Sequence, residues 1–189
     1  MRFAVIILMF LMANPLLAKC KIETHKFGTS SKTVEKSLDP PVEVFEPIPG
    51  IKKELITKFE LICPELKNTT LGEDTEFSYH FIKDKLVAIE IVRHLSNDLN
   101  LFEWGRNHFG IIQDRDPNKA EQVIQVENGD HMIQLFVGEL SNSIFQNVAL
   151  VSTKHDDLFL YLAQKEDQID WDTYEMPLLE PVDISPEDN

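Results

Sequence analysis

The stretch VIQVENGDHMIQLFV, residues 123–137, constrains the fold more than any other part of the chain. Asn-Gly is the preferred pair for a two-residue hairpin turn of type I′, because both central residues there need a positive φ. Runs of alternating apolar character flank Asn128-Gly129 on both sides, the mark of strands with one buried face. Pairing Glu127 with Asp130 puts Ile124, Val126, Ile133, Leu135 and Val137 on one face, and Val123, Gln125, Met132, Gln134 and Phe136 on the other. The first set suits a core. The second mixes amides with apolar and aromatic groups, and it reads either as a surface that grips another protein or as a layer covered by a further part of the fold.

Other segments supply an α+β class. FSYHFI (77–82) and LVAIEIV (86–92) predict a hairpin turning at Lys83-Asp84-Lys85, with Phe77, Tyr79 and Phe81 inward rather than Ser78, His80 and Ile82. LITKFELIC (55–63) has strand composition, and a last hairpin is read at 148–151 and 158–162, turning at 154–157. There Phe159 and Tyr161 oppose the row Leu158, Leu160 and Leu162, and are expected to extend the mixed surface. A helix is expected at 31–38, where Val34 and Leu38 share a face and Asp39-Pro40-Pro41 ends it; another at 98–109 is capped from Ser96-Asn97-Asp98 and closed by Gly110. Residues 42–50, with Pro47 and Pro49, read as an extended connector, and 68–72 as a loop. The order of helix and strands occurs twice: Leu38 to Phe109 and Lys83 to Lys154 are both 71 positions apart. This suggests two helix-plus-antiparallel-sheet units, 19–95 and 96–164, that form a tandem duplication.

The N-terminus bears on location. Arg2, the apolar run 3–13, Asn14-Pro15 and Ala18 have the layout of a secretory signal peptide spanning 1–18, and the run is too short to span a bilayer. Lys19 sits where a lipoprotein signal needs a small residue before Cys20, so a lipid anchor at Cys20 is disfavoured and a periplasmic or secreted product is expected. In an exported chain the only two cysteines, Cys20 and Cys63, read as one disulfide. Loss of Arg2 with the signal would move the net charge from -14 to -15. Nucleic acid and anionic lipid are both recognised through Lys and Arg, so neither is an expected partner, nor is membrane insertion after cleavage; a basic protein would be attracted.

The glycine, helix and proline pattern of GTSSKTVEKSLDPP, carried by Gly28, Val34, Leu38 and Pro41, resembles the opening of small SmpA/OmlA-type outer-membrane lipoprotein domains. LFEWGRNHFG has a similar helix-to-glycine ending. Two such units in tandem are similar to the architecture of the β-lactamase inhibitor protein, in which helices pack on a sheet whose other face grips an enzyme. The resemblance implies an architecture and a binding role, and transfers no functional residues.

Motifs for chemistry are absent: no HExxH spacing among His25, His80, His94, His108, His131 and His155, no GxSxG, and no glycine-rich phosphate loop. His131 reads as a boundary residue beside the turn. No catalytic residue, metal or cofactor is expected. The tail, 165–189, carries nine acids against one lysine and three prolines, a composition that predicts disorder, with Trp171, Tyr174, Met176 and Leu178 as apolar anchors for docking. The candidate protein-binding residues are thus Gln125, Met132, Gln134, Phe136, Phe159, Tyr161, Trp171 and Tyr174. The chain is expected to be an exported, non-enzymatic inhibitor or immunity protein; an envelope assembly factor and a hydrolase are the alternatives.

Overall fold

The computed structural model describes residues 20–38, 42–116, 118–140, 143–170, 174 and 180–181. The expected signal peptide, the Asp39-Pro40-Pro41 helix stop and most of the tail, including Trp171, Met176 and Leu178, lie outside them. The chain folds as mixed α and β around one antiparallel sheet ordered β5-β6-β7-β4-β3-β2-β1-β8. Two meanders supply it. β1 (Glu43–Ile48), β2 (Lys52–Lys58), β3 (Glu76–Ile82) and β4 (Lys85–Ser96) form the first, β5 (Glu121–Asn128), β6 (His131–Leu140) and β7 (Ser143–Ser152) the second. Their last strands, β4 and β7, pair with each other. β8 is the dipeptide Glu180–Pro181 beside β1.

Two of the three hairpins read from the sequence are present, at 77–92 and 123–137. At Lys83-Asp84 the turn residues carry φ of 49° and 59°, as a tight turn of this hand demands. Phe77, Tyr79 and Phe81 face inward and are buried. A register irregularity between His80 and Phe81 leaves Val87 extra on β4, and Ile82 and Val87 pack together outside the main core. In the second hairpin Asn128 pairs with His131, two residues from the expected register, and Gly129-Asp130 form the turn. A shift of two preserves the faces. Ile124, Ile133, Leu135 and Val137 are accordingly buried, and Val126, nearest the turn, is exposed.

Four segments depart from expectation, three of them here and the fourth among the helices below. The 42–50 stretch is the strand β1, whose ladder breaks between Phe45 and Ile48, where Pro47 has no N–H to give. The strand expected through residue 63 ends at Lys58, and Phe59–Ile62 turns into a helix, α2 below, because Phe59 and Ile62, three apart, both have to reach the core. The third is 158–162, which is helix rather than strand. β7 already has β4 on one side and β6 on the other, so no edge is left for a hairpin partner. The chain turns instead into a helix over Asp156–Glu166, with Asp156 and Asp157 in its first turn, where carboxylates favour a helix start.

The helices are α1 (Ser31–Glu35), α2 (Phe59–Ile62), α3 (Thr70–Glu73), α4 (Asn100–Phe109) and α5 (Asp156–Glu166). α3 lies in the stretch expected to be loop; the Thr69 hydroxyl caps it by accepting from Gly72 N at 3.1 Å. The first four helices contribute Val34, Phe59, Leu71, Leu101 and Phe102 to one large core, over the inner face of the sheet with Phe77, Ile91, Leu135 and Val148. α4 comes close because Gly105 has no side chain: a Cβ there would lie 2.9 Å from Leu135 Cδ2 and 3.0 Å from Val148 Cγ2. Gln146, fully buried under its first turn, accepts a hydrogen bond from Phe102 N at 3.0 Å and donates to Ser96 Oγ and Asp98 O at 2.6 and 2.7 Å. Cys20 and Cys63 are disulfide-bonded as expected, tying the N-terminal segment to the end of α2.

Candidate functional site

Alternation along each strand sends every second side chain to the outer face, away from α1–α4. That face carries Val123 and Gln125 on β5, Met132, Gln134 and Phe136 on β6, and Phe145, Asn147, Ala149 and Val151 on β7. Ala88 and Glu90 on β4, His80 on β3 and Lys52 and Glu54 on β2 continue it. Only α5 packs on this side among the described residues, seating Leu158 on Ile82 and Val87. A groove of about 540 Å³ remains, with Phe159 and Leu162 of α5 as one wall and Val123, Phe136 and Phe145 as the other. Small residues, Ala88 and Ala149, make its floor.

The aromatic wall is set by local sequence. Phe136 and Phe145 meet edge to face with ring centroids 5.8 Å apart. Gly138, two residues on from Phe136, leaves the space its ring fills, since a Cβ there would lie 3.0 Å from the ring carbons. Val123, directly opposite Phe136 in the ladder, remains 50% exposed.

A polar line crosses the apolar floor. Lys52 Nζ lies 3.2 Å from Glu54 Oε1, and His80 Nδ1 lies 3.4 Å from the same oxygen. His80 Nε2 is 3.1 Å from Glu90 Oε2 and 2.9 Å from the Ser78 hydroxyl, and Asn147 donates its amide to Glu90 Oε1. Burial alone would drive His80 toward its neutral form. The hydrogen bonds and charges of Glu54 and Glu90 outweigh that, and its pKa is pushed up to about 9. Burial likewise raises the Glu54 carboxyl, but His80 and Lys52 bring it below its ordinary value. The hydrogen bond from His80, opposed by burial, lowers Glu90. At neutral pH the ring is an imidazolium that points both N–H groups at carboxylates, so it has no lone pair with which to take a proton. The line acts as fixed charge.

Of the candidate residues, Gln125, Met132, Gln134 and Phe136 share the outer face, and Phe159 lines the groove with Gln134 and Phe136. The remaining two that can be placed do not join them. Helical geometry turns Tyr161 off the groove to Lys83, whose Nζ stands 3.3 Å from its ring centroid, and leaves Leu160 67% exposed. Tyr174 donates its hydroxyl to Pro47 O at 2.6 Å, beside β1. Neither of the two readings of the outer face holds throughout: α5 covers one end as a second layer, and the rest has no described cover. The sequence reading missed Glu54, His80, Glu90 and Asn147. The alternation that turned Phe77, Tyr79 and Phe81 inward already turned His80 outward, and the same parity along LVAIEIV set Ala88 and Glu90 outward together.

A second cleft, of about 530 Å³, lies between the N-terminal segment and the ends of β6 and β7, lined by Glu23, His25, Asp130, His131 and His155. The buried His131 stands 3.4 Å from Glu23 and 3.2 Å from Asp130, and His155 Nδ1 is 2.7 Å from Ser152 Oγ. Among the described residues no group of three or more His, Cys, Asp or Glu is placed to hold a metal ion. His25 Nε2 lies 2.8 Å from Ser37 Oγ, whose proton goes to Val34 O at 2.6 Å, so this hydroxyl is not aimed at the imidazole as an activated nucleophile.

No helix among the described residues is long and apolar enough to cross a membrane, a statement that does not extend to strands. The disulfide fits an oxidising compartment outside the cytoplasm. Comparison of the chain with protein-family models, with curated proteins and with solved structures finds no match.

Proposed function

We propose that the protein is an exported, non-enzymatic binder of another protein, an inhibitor or immunity protein that neutralises an enzyme or toxin in the periplasm or outside the cell. The observation that carries this reading is the uncovered outer face: a groove of about 540 Å³ with aromatic walls and an ordered line of charges across its floor. Aromatic side chains around a few buried polar groups are the composition of interface hot spots. A signal peptide over 1–18 would deliver the chain to a compartment where the Cys20–Cys63 bond persists. Two meanders, each preceded by a helix, α1 before β1–β4 and α4 before β5–β7, support a duplicated unit of the tandem SmpA/OmlA kind. The acidic tail, which reaches β1 through Tyr174, adds in this reading a second contact for a basic partner.

An envelope assembly factor is the second reading. β5 favours it: eight residues long, with Val123 and Val126 exposed and one side unpaired among the described strands, it offers an edge for strand addition.

Affinity capture from native envelope extract at low salt, with the disulfide-bonded protein and its Phe136→Asp variant side by side, tests the main reading. A stoichiometric partner whose activity falls on binding, and which the variant does not retain, is the expected result. Retention of the same proteins by both, or of none, would remove the outer face as the binding surface. A partner held with its activity intact would favour assembly.

A further inference from the structure

We propose that the groove receives one basic side chain of the partner, an arginine or lysine flanked by apolar residues, seated over Ala88 and Ala149 against the Glu90 carboxylate. This rests on the outer face being the binding surface. Charges alternate in sign along the line Lys52, Glu54, His80, Glu90. Glu54 lies between two cations. Glu90 ends the series, and among the described residues its one ion pair is to His80. It is also the more open of the two, with 34% of its side chain exposed against 15% for Glu54. Asn147 fixes the orientation of the carboxylate through an amide N–H and adds no charge. The next member of the series is therefore a cation that the described residues do not supply.

What surrounds Glu90 suits the stem as well as the head of such a side chain. Ala149 lies directly opposite Glu90 in the ladder and Ala88 precedes it on the same face, so the floor is low there. Gln134, opposite Ala149, brings an amide, and the paired rings of Phe136 and Phe145 supply aromatic surface on which a guanidinium or the methylenes of a lysine can lie. An anionic group would meet Glu90 and the net charge of -14. A wholly apolar segment would bury a carboxylate without replacing its water, a larger penalty than the contact returns. A second copy of this chain, with 32 acidic and 18 basic residues, is the wrong partner on the same ground.

Selection of random peptides displayed on phage, against the disulfide-bonded protein at low salt, tests this. Each enriched peptide is measured by fluorescence anisotropy on the wild type, Glu90→Gln and Phe136→Ala, with amide NMR spectra showing that both variants are folded and which residues a peptide shifts. The expected winners carry Arg or Lys between apolar residues and shift Ala88, Glu90 and Ala149. They should lose about tenfold or more in affinity on Glu90→Gln, and replacing their basic residue by Gln should cost as much while adding little to the variant's loss. Winners that fill the groove and weaken on Phe136→Ala, yet lack a basic residue or ignore Glu90→Gln, would overturn this inference and leave the binding surface standing. Enrichment of peptides that shift no outer-face residue, or no enrichment, would overturn both. A concentration-dependent shift of the groove residues without peptide would assign the face to a second copy.

Discussion

Raising the pH from 6 to 10 should weaken the fold through His80, and the size of the effect follows from the polar line. The ring's ordinary pKa is 6.5, and between Glu54 and Glu90 it is pushed up to about 9. A group whose pKa is raised in the folded state holds its proton there after the unfolded chain has lost it. Its stabilisation is complete below about pH 6.5 and disappears as the pH rises through 9. A gap of about 2.5 pKa units at about 1.4 kcal/mol each is worth about 3 kcal/mol. The side chain is only 18% exposed, so solvent screening removes little of it. The neighbours run the other way: Glu54 and Glu90 lie below their ordinary 4.5, and what they contribute is lost on acidification. The line therefore stabilises most between about pH 4.5 and 6.5. Urea unfolding with the disulfide intact should show the wild-type midpoint falling by about 1 M or more between pH 6 and 10, given a slope of roughly 1–3 kcal/mol/M. His80→Gln has no proton to lose and should lack this part of the decline, while being the less stable protein at pH 6. Parallel midpoint curves for the two proteins, or a His80 ring resonance that titrates near 6.5, would refute the reasoning.

Gln146→Leu keeps the volume under α4 but strands Phe102 N, one of the helix's first amides and so without an intrahelical partner; a loss of about 2 kcal/mol is expected, seen as a drop of roughly 4–8 °C in Tm by calorimetry. Ser96→Ala should cost less, because the Asp98 carbonyl still accepts from Gln146. Reducing the Cys20–Cys63 bond, or replacing both by Ser, opens a loop of sequence separation 43 and should cost about 4 kcal/mol on the chain-entropy account, measured as the difference in urea stability with and without reductant.

Where a short-range rule governs the outcome, the sequence was enough. The parity of the 123–137 stretch survived a two-residue error in register, because faces depend only on odd or even spacing. The inward Phe77, Tyr79 and Phe81 followed from the same rule, and the disulfide from there being two cysteines. What was not legible depends on strand order. Nothing within 148–162 says that β4 returns to pair with β7, and without that pairing Leu158, Leu160 and Leu162 read as one face of a strand. The Lys83 to Lys154 correspondence falls with that hairpin, since Lys154 lies between β7 and α5 and not in a hairpin turn. The site was hidden for a like reason: Glu54, His80, Glu90 and Asn147 come from four strands, and only the neighbour relations β2-β3-β4-β7 align them.

The open groove is itself a product of chain order. Once β7 has closed between β6 and β4, the chain has to leave the sheet, and with α1–α4 on the inner face it leaves to the outer one. It does so as a helix of 11 residues, about 16 Å long at about 1.5 Å per residue. The sheet from β5 to β1 has six strand spacings, about 29 Å at about 4.8 Å each. One such helix, seated on Ile82 and Val87, is shorter than that width, and Phe136, Phe145 and Glu90 line the groove beside it. A monomer that left apolar rings open by accident would gain from burying them under a longer helix or from polar substitution at Phe136 and Phe145. Instead Gly138 makes room for one ring, Asn147 orients the nearest carboxylate, and His80 is held charged behind it. Three separate features that shape an exposed surface, each at a cost in backbone freedom or desolvation, support the proposed binding face over a merely unfinished core.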